Sequence, residues 1–362
     1  SVAQAIYYAV RQGAKIINAS SGGRGPIPQV ISEAINFAHT NNVVVVTAAG
    51  RGSGDAAEQA IAGHYRTITV GAIDQYEVQT STSNYGLKVD VVAPGQSIIS
   101  LRSNVSNDCI LANGQYCEMG GTSSAAAHVS GIVGLILSKN PLFKPEQVRQ
   151  ILRITARPPF GVSMSALPNE IYGFGVAQAS KALTVTTVST ILLYDKKVAN
   201  VSGNFAITGE GTGLTNWSVY TTSPSSSLLT QGWGDMAGHL ITLGTYQWPD
   251  GWRYFMLIGN SASGVRVSDK MKLEIKNYYL TPPAPGQVFS PNGGDIPIRG
   301  LVHGQALVSY NLSVCKADNC IATSQIFAQG TNGVNGVLGT LPLSMLNGYG
   351  QYIIKLQAIN TL

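Results

Sequence analysis

One serine sits where chemistry could happen. In Gly121-Thr122-Ser123-Ser124-Ala125-Ala126-Ala127-His128-Val129-Ser130-Gly131, a Gly-Gly-Thr turn ends in Ser123, and small and apolar residues continue to Leu137. That run predicts a helix apolar nearly all round, hence buried. Ser123 would stand at its N-terminus, where the helix dipole and unpaired N–H groups favour a developing negative charge. Ala125, Ala126, Ala127 and Gly131 would allow close packing beneath it. A hydroxyl nucleophile beside N–H donors suits acyl transfer, provided a general base takes its proton. The histidines are poor candidates for that base. His128 lies one turn along the same helix, and His39 and His64 fall in helix-end or loop contexts without a motif. His303-Gly304-Gln305-Ala306-Leu307-Val308 lies inside a β-rich repeat.

The elements that would position Ser123 alternate between helix-like and strand-like segments. A helix over 1–12 leads through Gly13 into Ala14–Ala19, and a second, about 26–40, leads into Val43–Ala49. Thr67–Ala72 and Val89–Ala93 follow, then helices at about 123–139 and 145–155. Continuous β-branched runs between helices indicate a parallel sheet covered on both faces. The fold class expected for 1–183 is therefore α/β, a doubly wound, mostly parallel sheet.

After Leu183 the texture changes. Thr, Ser, Val and Tyr dominate, Gly and Pro punctuate often, and helical periodicity disappears, as in antiparallel sandwiches. An internal repeat runs through this part. Phe205–Gly209 matches Ile296–Gly300, Trp217–Tyr220 matches Tyr310–Val314, Leu243–Thr245 matches Leu338–Thr340, and Tyr254–Leu257 matches Tyr352–Leu356. The offset of about 90–95 residues is the size of an immunoglobulin-like sandwich. Two all-β domains are expected, at 184–280 and 281–362, joined by the stiff Pro282-Pro283-Ala284-Pro285-Gly286.

The segment around Ser123 resembles the serine motif of the subtilases, Gly-Thr-Ser-Met-Ala-x-Pro-His-Val-x-Gly. Ser123 falls on the nucleophile, and His128, Val129 and Gly131 match. Ser124 replaces the usual Met and Ala127 the usual Pro. Other segments match in the family's order. Ile17–Gly23 resembles the strand and loop that pair with an extended substrate, and Val43–Gly50 the strand leading to the oxyanion asparagine. Thr69–Ala72, Val91–Gly95, Gln147–Leu152 and Tyr172–Val176 resemble later strands, the closing helix and the tail. The resemblance covers 1–183 and implies a peptide or protein substrate contacting Ser20, Ser21, Gly22, Gly23, Ala48, Ala49 and Gly50. It allows calcium, for which the sequence offers no site, and implies no other cofactor.

Two departures from the family matter. Its catalytic Asp and His motifs precede the serine, and neither occurs here, so an N-terminal segment on a separate or cleaved chain is the expected partner. Ser1 opens directly into a helical pattern, as expected of a chain that is either processed or incomplete at its start. The oxyanion Asn is replaced: Ala-Ala-Gly-Asn reads Ala48-Ala49-Gly50-Arg51. In subtilisin itself, where this was established, losing that donor costs about 10²–10³-fold in turnover. Arg51 is expected to point to solvent, toward Asp55.

Composition bounds the rest. Of 362 residues 44% are apolar and only 11% charged, against about 25% in typical domains, with 41 glycines. This suits an extracellular or cell-surface β-rich protein rather than a disordered one. The net charge of +5 is scattered and carries no nucleic-acid motif, and no apolar run reaches the ~18 residues of a membrane span. Cys109 and Cys117 flank the hairpin dipeptide Asn113-Gly114, and Cys315 and Cys320 flank four residues. The short spacings favour two local disulfides over zinc. Sequons at Asn104, Asn200, Asn216 and Asn311 permit glycosylation.

Two readings follow from the sequence. One is a secreted or cell-surface subtilisin-like endopeptidase for which this chain supplies the nucleophile. The other is an inactive pseudoprotease serving as scaffold or adhesin, its β domains attached to a surface-layer or cell-surface partner. On either, the chain alone is expected to be inactive.

Overall fold

The computed structural model describes residues 1–20, 22–101, 116–222, 226–248, 250–281, 294–303, 307–317, 320, 324–346 and 351–360. They form two compact units. One comprises Ser1–Lys197, Ile207–Ile241 and Tyr254–Lys272; the other comprises Val198–Ala206, Thr242–Arg253 and Leu273–Leu362.

The first unit opens with α1 (Val2–Arg11), capped by the Ser1 hydroxyl, which accepts from the Gln4 N–H at 3.4 Å. Then come β1 (Ile16–Ala19), α2 (Gln29–Thr40), β2 (Val44–Ala48), β3 (Ile68–Ile73) and β4 (Val91–Pro94), paired in parallel in that order. The second helix starts three residues later than expected, at Gln29. Pro26 and Pro28 lack donors and hold their predecessors extended, and Pro28 takes the N-cap position at φ −59°, ψ 137°.

The valine run explains the two-sided core. Side chains alternate across a strand. Val43 and Val45 pack with Ala3, Ile6, Ala34 and Ile35 of α1 and α2, while Val44 and Val46 face the opposite core. That second core is closed by α3 (Thr122–Lys139) and α4 (Pro145–Thr155). It includes Ala125, Ala126, Val129, Val133 and Ile136 of α3 and Val148, Ile151 and Leu152 of α4. An antiparallel pair, β5 (Ile98–Leu101) and β6 (Tyr116–Met119), precedes α3, and a short α5 (Ala179–Ala182) follows α4.

The expectation that α3 is buried all round is corrected. Ser123, Ala127, His128, Gly131 and Leu135 are exposed, Leu135 to 48%. The near-uniform apolarity of the sequence hides this second face.

The amino-terminal ends of the parallel strands hold a buried ion cluster. Asp90 accepts from the Thr69 N–H at 2.8 Å and from Arg153 Nε and Nη2 at 2.9 and 2.5 Å. Arg149 and Lys88 lie 3.8 and 3.9 Å from it. Lys88 also donates to Thr67 O at 2.7 Å. Arg153 reaches Asp269 at 3.4 Å, and Asp269 in turn pairs with Lys196.

The β-rich part continues with β7 (Thr190–Leu193), β8 (Lys197–Val201), β9 (Asn204–Thr212), β10 (Asn216–Thr221), β11 (Ser227–Trp233), β12 (Met236–Gly244), β13 (Gly251–Asn260) and β14 (Arg266–Ile275). Then follow β15 (Tyr278–Leu280), β16 (Ile296–Val302), β17 (Leu307–Lys316), β18 (Gln325–Gly330), β19 (Val334–Leu341) and β20 (Tyr352–Asn360). Four sheets result, ordered β11-β10-β13-β14-β8, β12-β9-β7, β15-β16-β19 and β18-β17-β20. By strand order alone, β12-β9-β7 can be set beside β19-β16-β15, and β11-β10-β13 beside β18-β17-β20. The segments matched in sequence lie on β9 and β16, β10 and β17, β12 and β19, β13 and β20. Ile296, Ile298 and Leu338 of the β15-β16-β19 sheet share a core with Tyr310, Leu312 and Val314 of the β18-β17-β20 sheet.

Cys315 and Cys320 form a disulfide. Cys109 lies outside the described residues, and with it the pairing expected for Cys117. Ser21, Asn104, Asn113-Gly114 and Pro282–Gly286 also lie outside them.

Candidate functional site

Ser123 stands at the first turn of α3, just past the carboxyl ends of the parallel strands, the end at which open α/β sheets bind ligands. Gly121 makes the turn at φ 95°, a left-handed conformation open to glycine at little cost. The first N–H groups of a helix have no intrahelical acceptor, and Ser123 belongs to that first turn.

Hydroxyl bonds tie the site to two strand ends. Ser123 Oγ donates to Ser20 O at 3.0 Å, and Ser20 Oγ donates to Ser123 O at 3.1 Å. Ser20 Oγ also accepts from Asn18 Nδ2 at 2.9 Å, and Asn18 Oδ1 accepts from Ser130 Oγ at 2.9 Å. Thr122 Oγ1 accepts from the Gly50 N–H at 3.1 Å and donates to Gly50 O at 3.2 Å.

Gly50 and its neighbours are held from behind by Asn84. Asn84 Nδ2 donates to Ala49 O at 3.0 Å, its N–H donates to Gly50 O at 3.0 Å, and its Oδ1 accepts from the Gly54 N–H at 3.0 Å. Gly50 has φ +94°, and a Cβ there would come within 2.7 Å of Asn84 Nδ2. Sequence reasoning missed Asn84, Asn18 and Ser130. Nothing in their spacing marks them, because their partners lie 30 to 112 residues away, apart from near neighbours.

The structure thus brings Ser20, Gly50 and Ser123 together. Ala49 lies beside them, but its N–H already donates to Val70 O at 2.9 Å and its carbonyl accepts from Asn84. Ala48 is the last residue of β2. Gly22 and Gly23 are exposed, and Gly23 O accepts from the Ala60 N–H at 2.8 Å.

Arg51 is exposed, and among the described residues its guanidinium makes no hydrogen bond or ion pair; its backbone bridges to Ser83. It does not meet Asp55, whose carboxylate is taken by Lys197 and Lys272. Beside the Gly121 turn lies an open cleft of about 460 Å³, lined by Thr80, Gln96, Glu118 and Gly121 among others.

No histidine among the described residues hydrogen-bonds Ser123. His128 Nδ1 donates to Ser124 O at 2.9 Å. His64 is buried and has its Nε2 3.1 Å from Ser32 Oγ, while its Nδ1 accepts from the Arg66 N–H. Burial first, then the Lys88, Arg149 and Arg66 charges, push its pKa down to about 3. His39 lies between Arg66 and Glu146. Among the described residues no three acidic, His or Cys side chains are gathered to hold an ion. Nor is any of their helices long and apolar enough to cross a membrane.

Comparison with known proteins identifies this arrangement. Residues 1–175 match the family model described as "Subtilase family". The "Thermophilic serine proteinase" of Bacillus sp. (strain AK1) is 37% identical over 155 residues, 43% of this chain and 35% of that protein. "Fervidolysin" of Fervidobacterium pennivorans is 30% identical over 220 residues, 57% of this chain and 31% of that protein. "Subtilisin BL" of Lederbergia lenta is 32% identical over 182 residues, 50% of this chain and 61% of that protein. The chain thus spans less than two thirds of each of these relatives. Among solved structures, a protease from Pseudoalteromonas arctica PAMC 21717 aligns with 51% of this chain and 57% of its own, at 27% identity and a TM-score of 0.45. Residues 1–175 are a domain of the subtilase family.

Proposed function

We propose that the chain supplies the nucleophile part of a subtilisin-like serine endopeptidase that works outside the cell or at its surface. Its Asp and His come from a segment N-terminal to Ser1. The observation that carries this reading is Ser123 itself: exposed, in the first turn of a helix, and bonded to the backbone of a strand end. A base delivered by the upstream segment would take the Ser123 proton while Oγ bonds to the peptide carbonyl carbon. The negative charge then moves to the carbonyl oxygen, against the helix N-terminus. Collapse expels the amine with that proton, and water releases the acyl group. The substrate would lie along Ser20–Gly23 and Ala48–Gly50. The three-part organisation at 1–183, 184–280 and 281–362 belongs to the same reading. Its two immunoglobulin-like sandwiches would attach the protease to a surface partner, and the Cys315–Cys320 bond favours an oxidising compartment.

Arg51 favours a second reading, a pseudoprotease scaffold, because its exposed guanidinium offers no fixed donor where the family has Asn. A serine-directed phosphonate separates the two. The full-length protein, or the complex with the upstream segment, should label at Ser123, and Ser123→Ala should abolish labelling. Arg51→Asn should then raise peptide hydrolysis by about 10²-fold. Absence of labelling in both the parent and the Arg51→Asn protein would establish the scaffold reading. Hydrolysis by residues 1–362 alone, lost in Ser123→Ala, would reveal a base within this chain.

A further inference from the structure

The loop that follows Gly50 is held by charges supplied from far along the chain. Asp55 caps the turn Ala56–Glu58, its Oδ1 accepting from the Ala57 N–H at 3.0 Å. Its Oδ2 receives two ammonium groups, Lys197 Nζ at 3.2 Å and Lys272 Nζ at 3.3 Å. Lys197 Nζ also reaches Glu58 Oε1 at 2.8 Å, and Lys272 Nζ lies 3.2 Å from both oxygens of Glu170. Glu58 in turn pairs with Arg24 at 3.2 Å. Three cations therefore face three carboxylates. Asp55 and Lys272 side chains are each only 10% exposed and Lys197 20%, so these pairs are less screened than surface ones.

The clamped turn reaches both edges of the Ser123 site. On one side the Glu58 carbonyl accepts from the Gly25 N–H, and the Ala60 N–H donates to Gly23 O, both at 2.8 Å. On the other side Ala56 N–H donates to Tyr85 O at 2.6 Å, and the adjoining Asn84 holds Ala49, Gly50 and Gly54. A Cβ at Gly86 would collide with the Asp55 carboxylate, so Asp55 packs directly against the Gly86 backbone. The Glu58 carboxyl is held below its ordinary value, chiefly by its hydrogen bond to Lys197.

We propose that Lys197 and Lys272, from the strands β8 and β14, are positioning residues for the Ser123 site. Through Asp55 and Glu58 they fix the oxyanion segment 49–52 and the substrate segment 22–25 together. The effect on catalysis rests on the protease reading; the mechanical coupling does not. The β-rich strands are then a working part of the catalytic apparatus.

The test uses the full-length protein with Lys197→Met and Lys272→Met combined, and the corresponding Lys→Arg pair. Amide hydrogen exchange in 22–25 and 50–59 should quicken about tenfold in the Met protein, with α3 unchanged, since local opening follows local stability. Turnover of a peptide should fall about ten- to hundredfold with little change in KM, as misplacement of catalytic groups predicts. The Arg pair should retain both properties. If the double Met protein does not fold, Lys272→Met alone carries the same readouts. Unchanged exchange in both loops, or equal acceleration in α3, would overturn the proposal. If the parent fails to label with the phosphonate, the protease reading falls, and exchange alone still decides whether the clamp exists.

Discussion

The two ends of the parallel sheet are built from opposite materials. At the carboxyl ends, around Ser123, Ser20 and Gly50, the side chains are small and neutral, Ser123 exposed and Ser20 half-buried, joined by hydroxyl bonds near 3 Å. At the amino ends, around Asp90, the groups are charged and almost fully buried, and each is neutralised by neighbours on other elements. Desolvated charges hold a structure only when every partner is in place. Weak neutral bonds can be broken and remade during a reaction. The fold therefore keeps its rigidity at one end of β3 and β4 and its adaptable chemistry at the other.

Removing the central carboxylate should give the largest effect and tests that division directly. Asp90→Asn leaves Arg149, Arg153 and Lys88 short of a counter-charge. It should cost about 3–5 kcal/mol, the range for breaking a buried pair, read from urea unfolding of the first unit. Phosphonate labelling of the fraction that stays folded should be unaltered; a loss of labelling without a loss of stability would reverse the comparison.

Proton linkage should be the next largest effect. Burial pushes Lys88 down from 10.5 to about 7. Between these values the unfolded chain holds a proton that the folded chain has released, so stability should rise with pH from 7 to 10.5. The slope is at most about 1.4 kcal/mol per pH unit. Lys88→Met should flatten this rise. The carboxylates act at the other limit. Burial opposes ionisation of Asp90, but Arg153, Arg149 and Lys88 outweigh it and hold the carboxyl far below 3.8. Its contribution is present above 3.8 and is lost as pH falls below it. Denaturant midpoints from pH 3 to 10 would show both limbs.

The smallest effect on stability, and the sharpest on the site, should come from Gly50→Ala. The new Cβ meets Asn84 Nδ2 at 2.7 Å on a backbone at φ +94°. The strain should cost about 1–3 kcal/mol while displacing the segment that Thr122 holds, so labelling of Ser123 should slow out of proportion to the stability loss. Equal loss in both measurements would mean that the carboxyl ends are as structural as the amino ends.

Much of the site end was legible in the sequence because its signals are local. The Gly-Gly-Thr-Ser turn, the small residues after it and the valine run all lie within a few residues of what they specify. The helix over 145–155 has the expected bounds. The ion cluster was not legible: Asp90 finds Arg153 63 residues later, and Arg153 finds Asp269 116 residues later. Charge pairs at such separations leave no spacing to read. Lys197 and Lys272 escaped notice for the same reason, and Arg51 was assigned to Asp55 because proximity in sequence was the only guide. The exposed stripe of α3 was hidden by composition, since Ala, Gly and Leu are read as core wherever they stand.

The reciprocal bonds between Ser20 and Ser123 hold the Ser123 hydroxyl at rest. A hydroxyl has one hydrogen, so Ser123 cannot serve the Ser20 carbonyl and a base together. A neutral bond of this kind is worth about 1 kcal/mol net, an occupancy ratio near five to one. The hydroxyl is then released for roughly a sixth of the time, sampled on the picosecond-to-nanosecond scale of exposed rotamers. On the protease reading, a base would then meet a free Ser123 proton within nanoseconds.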